Sequence, residues 1–297
     1  LIQPVLSERV LIQQLLGTQN PDGGWSYRKG SSWIEPTAFA VLALQTQMAP
    51  GLKGALSGAL ARGVKWLLST QKSSGGWAPN AAVDECTSVT STATLALLRI
   101  APKRLDKAVD WTAGQVYRNH LSLSFLLTRA LHLPPTQAPG SVPWYPGTAG
   151  WVTPTALTAL TLSRAARETN RPELHDLAGH CCAHLLSRRC SDNGWNHGGS
   201  PARSEDATSY PETTGLALLA LRSASIELPD KAVALAKQFV AAPQSLEGLS
   251  WIQMALHSDT QPIPDPAIVP PPRTTRDAAL RLIALSARSG RNVFLSA

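Results

Sequence analysis

Apolar positions along this chain fall into two recurring kinds of segment. In the first, one apolar stripe alternates with charged positions at helical spacing. Ala61–Ser69 is an example, with Val64, Leu67 and Leu68 inward and Arg62 and Lys65 outward. In the second, nearly every position is apolar, as in Phe39-Ala-Val-Leu-Ala-Leu44, Leu157-Thr-Ala-Leu-Thr-Leu162 and Leu216-Ala-Leu-Leu-Ala-Leu221. A striped helix can lie on a surface, whereas a helix that is apolar all round must be covered on most sides. Asp106–Tyr117 and Leu121–Leu131 read as a further pair. Pro229–Val240, Gln244–His257 and Thr275–Ser289 are helix-like, and the proline-rich stretch Pro262–Arg273 reads as a surface loop. The sum is about twelve helices in six hairpins, an all-α chain whose covered helices can form an inner ring and its striped helices an outer one. No composition break marks a boundary, so one domain over 1–297 is expected.

The segments are joined by a repeated loop. Gln19-Asn-Pro-Asp-Gly23-Gly-Trp25 recurs as Gln71-Lys-Ser-Ser-Gly75-Gly-Trp77. A decayed copy reads Gln137-Ala-Pro-Gly-Ser-Val-Pro-Trp144, and another has Cys190 at the Gln place in Cys190-Ser-Asp-Asn-Gly194-Trp195. A second block opens each covered helix: Trp33-Ile-Glu-Pro-Thr37-Ala, Trp151-Val-Thr-Pro-Thr155-Ala, Tyr210-Pro-Glu-Thr-Thr214-Gly and Ser88-Val-Thr-Ser-Thr92-Ala. Pro36 and Pro154 sit where a first helical turn tolerates proline.

Composition narrows the classes. The chain has 297 residues, of which 16% are charged, against about 25% in an average soluble protein. Nine Trp stand against four Phe and four Tyr, mostly at the loops. Net charge is +7, but the basic residues are scattered without a stripe, which speaks against nucleic acid. A moderately basic face suits an anionic membrane surface and a phosphorylated substrate equally well. No apolar run is long enough for a spanning helix. The four cysteines, two of them adjacent, lack a disulfide pattern and point to a reducing compartment. The expected location is the cytoplasm or a membrane periphery. Because residue 1 is Leu, a removed signal peptide leaves secretion open.

Arg62-Gly-Val-Lys-Trp66-Leu-Leu-Ser-Thr-Gln71-Lys-Ser-Ser-Gly75-Gly-Trp77 resembles a complete QW repeat of the squalene–hopene and oxidosqualene cyclases, and residues 9–25 resemble a weaker copy. The resemblance covers roughly residues 5–225. It implies the (α/α)6 toroid shared with protein prenyltransferase β subunits. It also implies that Gln19, Trp25, Gln71 and Trp77 are structural.

In those cyclases the initiating acid is an Asp at the start of an inner helix, in an Asp-x-Asp-Asp-Thr-Ala pattern. Matched on Thr-Ala, the acid position falls on Glu35 and Glu212, and on Thr153 and Thr90 in the other copies. Val83-Asp84-Glu85-Cys86-Thr87 resembles the Asp-Cys-Thr version, with Glu85 at the acid position and Asp84 beside it. No copy carries the full set of Asp residues. The chemistry needs a neutral carboxylic acid. Burial raises a carboxyl pKa, whereas a helix N-terminus lowers it. Trp33, Trp144, Tyr145, Trp151 and Tyr210 cluster at the loop-to-helix junctions, where aromatic faces could bind substrate and stabilise cations.

These residues lead to an expected proton-initiated cyclase acting on an isoprenoid, without cofactor or metal. One alternative is a non-catalytic toroid holding a lipid or peptide in its central pocket. Another is a zinc-dependent prenyltransferase-like subunit with a partner chain, its metal held by Asp84, Cys86 and the distant His197. His180 and His184, spaced i and i+4, are a further candidate metal pair. A polysaccharide-active toroid would also use acids and aromatics at the mouth.

Overall fold

The computed structural model describes residues 7–47, 54–118, 138–198, 208–258 and 262–295. Eleven α-helices occur among them: α1 (Glu8–Gly17), α2 (Ile34–Gln45), α3 (Ala55–Ser69), α4 (Val89–Leu97), α5 (Asp106–Gly114), α6 (Val152–Glu168), α7 (Glu173–Ser187), α8 (Pro211–Ser223), α9 (Asp230–Ala241), α10 (Leu246–Leu256) and α11 (Thr275–Ala287). No strand is present among the described residues, only isolated bridges such as Trp25 with Trp33.

The helices apolar all round make the inner ring. In α2 every residue from Ile34 to Leu44 except Glu35 is buried. Helices α2, α4, α6, α8, α10 and α11 pack in that order, and α11 packs back on α2 to close the circle. Outside it lie α1, α3, α5, α7 and α9. This is an (α/α)6 toroid, and at its closure the outer helix α1 packs on α11.

One repeat departs from the sequence reading. Tyr117 exchanges backbone hydrogen bonds with Ser141 and Gly140, as Asn20 does with Gly24 and Gly23. The partner of α5 is therefore α6, and 118–139 is an insertion within the connecting loop. The proposed helix Leu121–Leu131 lies outside the described residues.

Each loop is fastened in the same way. The indole N–H of Trp25, Trp77 and Trp195 donates to the carbonyl of Leu15, Leu67 and Leu185, at 2.8, 2.8 and 2.6 Å. This adds a donor to a carbonyl in the last turn of the outer helix. Gln19 Nε2 donates to Gly23 O and to Ala59 O, and Gln71 Nε2 to Gly75 O. The Thr of each inner helix completes the strap. Backbone N–H groups of Trp25, Trp77, Val142 and Trp195 donate to Thr37, Thr90, Thr155 and Thr214 Oγ1 at 2.8, 2.8, 2.9 and 3.0 Å. Gly75, at φ +93°, shows why glycine recurs: a Cβ there would lie 2.5 Å from the Lys107 carbonyl oxygen on α5.

These bonds correct three alignments. Val142, not Trp144, stands where Trp25 does. Thr90, not Thr92, is the counterpart of Thr37, because it is Thr90 Oγ1 that accepts the Trp77 N–H, so Thr90 is not at the acid position. Cys190 takes the place of Asn20 rather than Gln19: its N–H reaches Gly194 O as that of Asn20 reaches Gly24 O. Asn193, at φ +73°, supplies the left-handed residue that Gly23 supplies at φ +96°.

The interior is aromatic. Phe39 of α2 meets Trp251 of α10 edge-on, at 5.8 Å between centroids, across the intervening α11. Phe294, in the segment after α11, packs on Trp251 at 5.6 Å. That segment crosses the C-terminal end of the ring. Arg291 Nε donates to Thr46 O at 3.1 Å, Asn292 Nδ2 to Met254 O at 2.8 Å, and Arg164 to Val293 O. Helices α2, α10 and α6 are thereby tied together at that end.

Candidate functional site at the mouth of the ring

The opposite end is formed by the first turns of the inner helices. The second residue of each of four of them is charged: Glu35 on α2, Glu212 on α8, Glu247 on α10 and Arg276 on α11. Side chains at this level face the neighbouring helices round the circle, and the sequence brings them together through α11. Arg276 Nη1 and Nη2 bind Glu247 Oε2 and Oε1 at 3.0 and 2.5 Å, and Arg276 Nε lies 3.4 Å from Glu35 Oε1. The Tyr27 hydroxyl donates to Glu35 Oε2, and the Ser245 hydroxyl to Glu212 Oε1. The Arg276 guanidinium also lies 5.6 Å from the centre of the Phe39 ring, so this polar layer rests directly on the aromatic interior.

Two carboxylates, Glu247 and Glu35, face one guanidinium here, and Glu212 is close enough for its charge to act on Glu247. Burial is the main force raising the Glu247 pKa, and the charges of Glu35 and Glu212 add to it against the pull of Arg276. Burial pulls the Arg276 pKa down, but Glu35 and Glu247 outweigh it and the guanidinium stays charged. Burial, then the Glu35 charge, raises the Tyr27 phenol, which remains a neutral donor. The layer is not sealed: the side chains of Glu35, Arg276 and Glu247 keep 15, 18 and 23% of their surface accessible.

An aromatic collar surrounds this layer. Trp33, Trp151 and Tyr210 are the N-caps of α2, α6 and α8, held extended without side-chain caps. Trp33 packs edge-on against Tyr27 at 5.8 Å, and Tyr210, 46% exposed, lies 5.2 Å from the His197 ring. Trp144 is half-buried and its carbonyl accepts from Ser88 N–H; Tyr145 beside it is exposed.

Glu35 and Glu212 thus stand in the mouth. Asp84 and Glu85 do not share that environment: both are exposed, and Asp84 pairs with Lys72 at 3.5 Å. They lack the burial that an acid of this kind needs. Among the described residues no group of three His, Cys, Asp or Glu side chains is placed to hold a metal ion. Asp84 faces solvent, Cys86 lies near Ser74 Oγ and His197 stacks on Tyr210, so that alternative set is not assembled. His180 is exposed, whereas His184 is buried, and burial, aided by Arg188, lowers its pKa to about 4. All four cysteines are free.

Sequence reasoning missed Glu247, Arg276 and Tyr27. Helix α10 carries neither the Gly-Trp loop nor the Thr-Ala start. The readable signal was Ser245 two residues before Glu247, the cap that accepts from Gly248 N–H.

No protein-family model matches the sequence, and a search of curated proteins finds no relative. Solved structures do match. An inactive variant of the alpha-1,6-mannanase GH76A from a Salegentibacter species, in complex with alpha-1,6-mannotriose, aligns over 96% of this chain and 98% of its own, with a TM-score of 0.64 and 10% identity. The endo-beta-1,4-glucanase CMCax of Acetobacter xylinum aligns over 96% and 99%, with a TM-score of 0.57 and 12% identity. The type II terpene cyclase MstE from Scytonema, in complex with geranylgeranyl dihydroxybenzoate, aligns over 96% and 77%, with a TM-score of 0.56 and 13% identity. The chain shares its toroid with both kinds of enzyme. At these identities the likeness concerns the fold alone. No helix among the described residues is long and apolar enough to cross a membrane.

Proposed function

We propose that this chain is an acid-catalysing toroid that protonates an isoprenoid at the mouth of its inner ring and so starts a carbocation cyclisation. The observation that carries the reading is Glu247. It is a largely buried carboxyl whose pKa is raised by burial and by the charges of Glu35 and Glu212, against a guanidinium that it shares with Glu35. In such a cluster one carboxyl keeps its proton more readily than in water. Glu247 gives that proton to a terminal alkene carbon. The cation so formed is attacked by the next double bond of the chain, and Glu35 or Glu212, as carboxylate, takes the proton lost at termination. Arg276 and Tyr27 act as positioning residues that hold Glu247 and Glu35. Trp33, Trp151 and Tyr210 offer aromatic faces to the guest and its developing charge. With Phe39 and Trp251 filling the interior below, the guest lies in the mouth.

A substrate without diphosphate fits this mouth best, because its carboxylates repel an anion and its one arginine is already paired. The test is incubation in D2O with squalene and with geranylgeranylated phenols. Wild type should yield a cyclic product carrying one deuterium at the former terminal alkene carbon, and Glu247→Gln should yield none. Absence of product with wild type would refute the cyclase.

The same collar supports a second reading, since aromatic faces around paired carboxylates also suit sugar rings. Release of oligosaccharides from mannan or glucan by wild type, abolished in Glu212→Gln or Glu247→Gln, would establish it. Tight binding of an isoprenoid or lipid without turnover would instead make the chain a carrier.

A further inference from the structure

Helix α3 carries two apolar stripes, one fully buried and one that packs at the edge of the core with part of its surface open. Leu56, Ala59, Gly63 and Leu67 are buried against the rest of the molecule. Leu60, Val64 and Leu68, spaced four apart, form the second stripe and are only half-buried. They turn toward the connection between α4 and α5, where Ile100 leaves 41% of its surface exposed. Between the two lies a cleft of about 670 Å³, large enough for a small ligand. Two cations, Lys65 and Arg104, stand among its lining residues. Neither has a carboxylate within ion-pair distance among the described residues, whereas neighbouring Arg62 is engaged with Gln19 Oε1.

An apolar trough with positive charge at its edge is complementary to a molecule with one hydrocarbon tail and one anionic head. Water in such a trough gains little, while an alkyl chain laid along Leu60, Val64 and Leu68 removes apolar area on both sides. The mouth of the ring has the opposite electrostatics, with its carboxylates in excess. We propose that the α3 cleft is a second ligand site, distinct from the mouth, that binds a free single-chain anionic lipid of the fatty-acid class. Its tail runs along the Leu60–Val64–Leu68 stripe against Ile100, and its carboxylate meets Lys65 and Arg104. The inference does not depend on the reaction assigned to the mouth.

The test is equilibrium binding of sodium palmitate below its micelle concentration. It is compared with hexadecanol and with vesicles of anionic phospholipid. Wild type should bind one palmitate. Val64→Trp, which fills the trough on an outer face, should reduce affinity at least 10-fold. The double variant Lys65→Gln/Arg104→Gln should weaken palmitate at least 5-fold and leave hexadecanol unchanged. Circular dichroism and the thermal midpoint confirm that each variant is folded. Glu247→Gln should bind palmitate as wild type does, which separates this site from the mouth. Undiminished binding by folded Val64→Trp, or no binding by wild type, would overturn the proposal. Binding to vesicles but not to monomeric palmitate would replace it with a membrane contact. A dimer that buries the cleft in the absence of lipid would replace it with a self-association face.

Discussion

Phe294 and Trp251 lie with their rings 5.6 Å apart, joining the segment after α11 to the middle of α10. Both side chains are fully buried, and Trp251 in turn touches Phe39. The interior is thus filled from the C-terminal end by a residue that belongs to no helix. Phe294→Ala should lower stability by about 3–5 kcal/mol, the usual cost of truncating a buried phenylalanine. Urea denaturation measures it. A change below about 1 kcal/mol would mean that Phe294 merely rests on the ring.

Arg276 is the shared partner of Glu247 and Glu35. Its replacement by Met leaves two half-buried carboxylates facing each other without compensation, and stability at pH 7 should fall by about 3 kcal/mol. The triple change Arg276→Met, Glu247→Leu, Glu35→Gln should recover most of that loss. If the single variant is as stable as wild type, the network is not the structural keystone of the mouth.

Glu247 and His184, an acid and a base both largely buried, give opposite pH trends. Glu247 has its pKa raised in the folded state, so the folded protein holds a proton that the unfolded chain, with a value of about 4.3, has released. Stability from this group is full below about pH 4 and declines as pH rises through its folded pKa. Glu247→Gln should remove that decline from the thermal midpoint measured against pH.

His184 behaves in the reverse manner. Its pKa falls from 6.5 to about 4 on folding, so between these values the unfolded chain takes up a proton that the folded one refuses. Holding one proton fewer in the folded state costs about 1.4 kcal/mol for each step of one in pH. Stability should therefore drop by about 3 kcal/mol as pH falls from 6.5 to 4. His184→Leu should flatten this acid limb in a urea-midpoint series.

Thr90 accepts the Trp77 N–H and Thr37 accepts the Trp25 N–H. Replacing either by Val strands a buried backbone donor, so Thr90→Val and Thr37→Val should each cost about 1–3 kcal/mol. Hydrogen exchange of the Trp77 amide should accelerate in Thr90→Val. Unchanged exchange would return the register to Thr92.

The toroid was legible because its repeat writes the same contacts several times. The Gln-Gly-Trp loops and the Thr that follows them are each answered by a hydrogen bond, and α2 is apolar on every face because it is covered on every face. Errors arose where spacing alone chose the partner. Several hydroxyls follow Ser88, and only the hydrogen bond from the Trp77 N–H selects Thr90. Asn193 can replace a glycine in a left-handed turn, which shifted Cys190 by one place. Residues 118–139 stand between the two halves of one repeat loop, so the chain after α5 does not follow the spacing of the other copies. At the mouth, Glu35 and Glu212 were readable from the repeat. Glu247 and Arg276 were not, because α10 and α11 lack it, and nothing in a linear pattern says that the last helix lands beside the first inner one.

That closure has a consequence for how the protein comes into being. Glu35 is synthesised some two hundred and forty positions before its counter-ion Arg276, which lies on the helix that shuts the circle. An unfinished chain emerging from the ribosome therefore carries its acids without the group that orders them. Whatever the mouth does, it begins only once translation has passed α11.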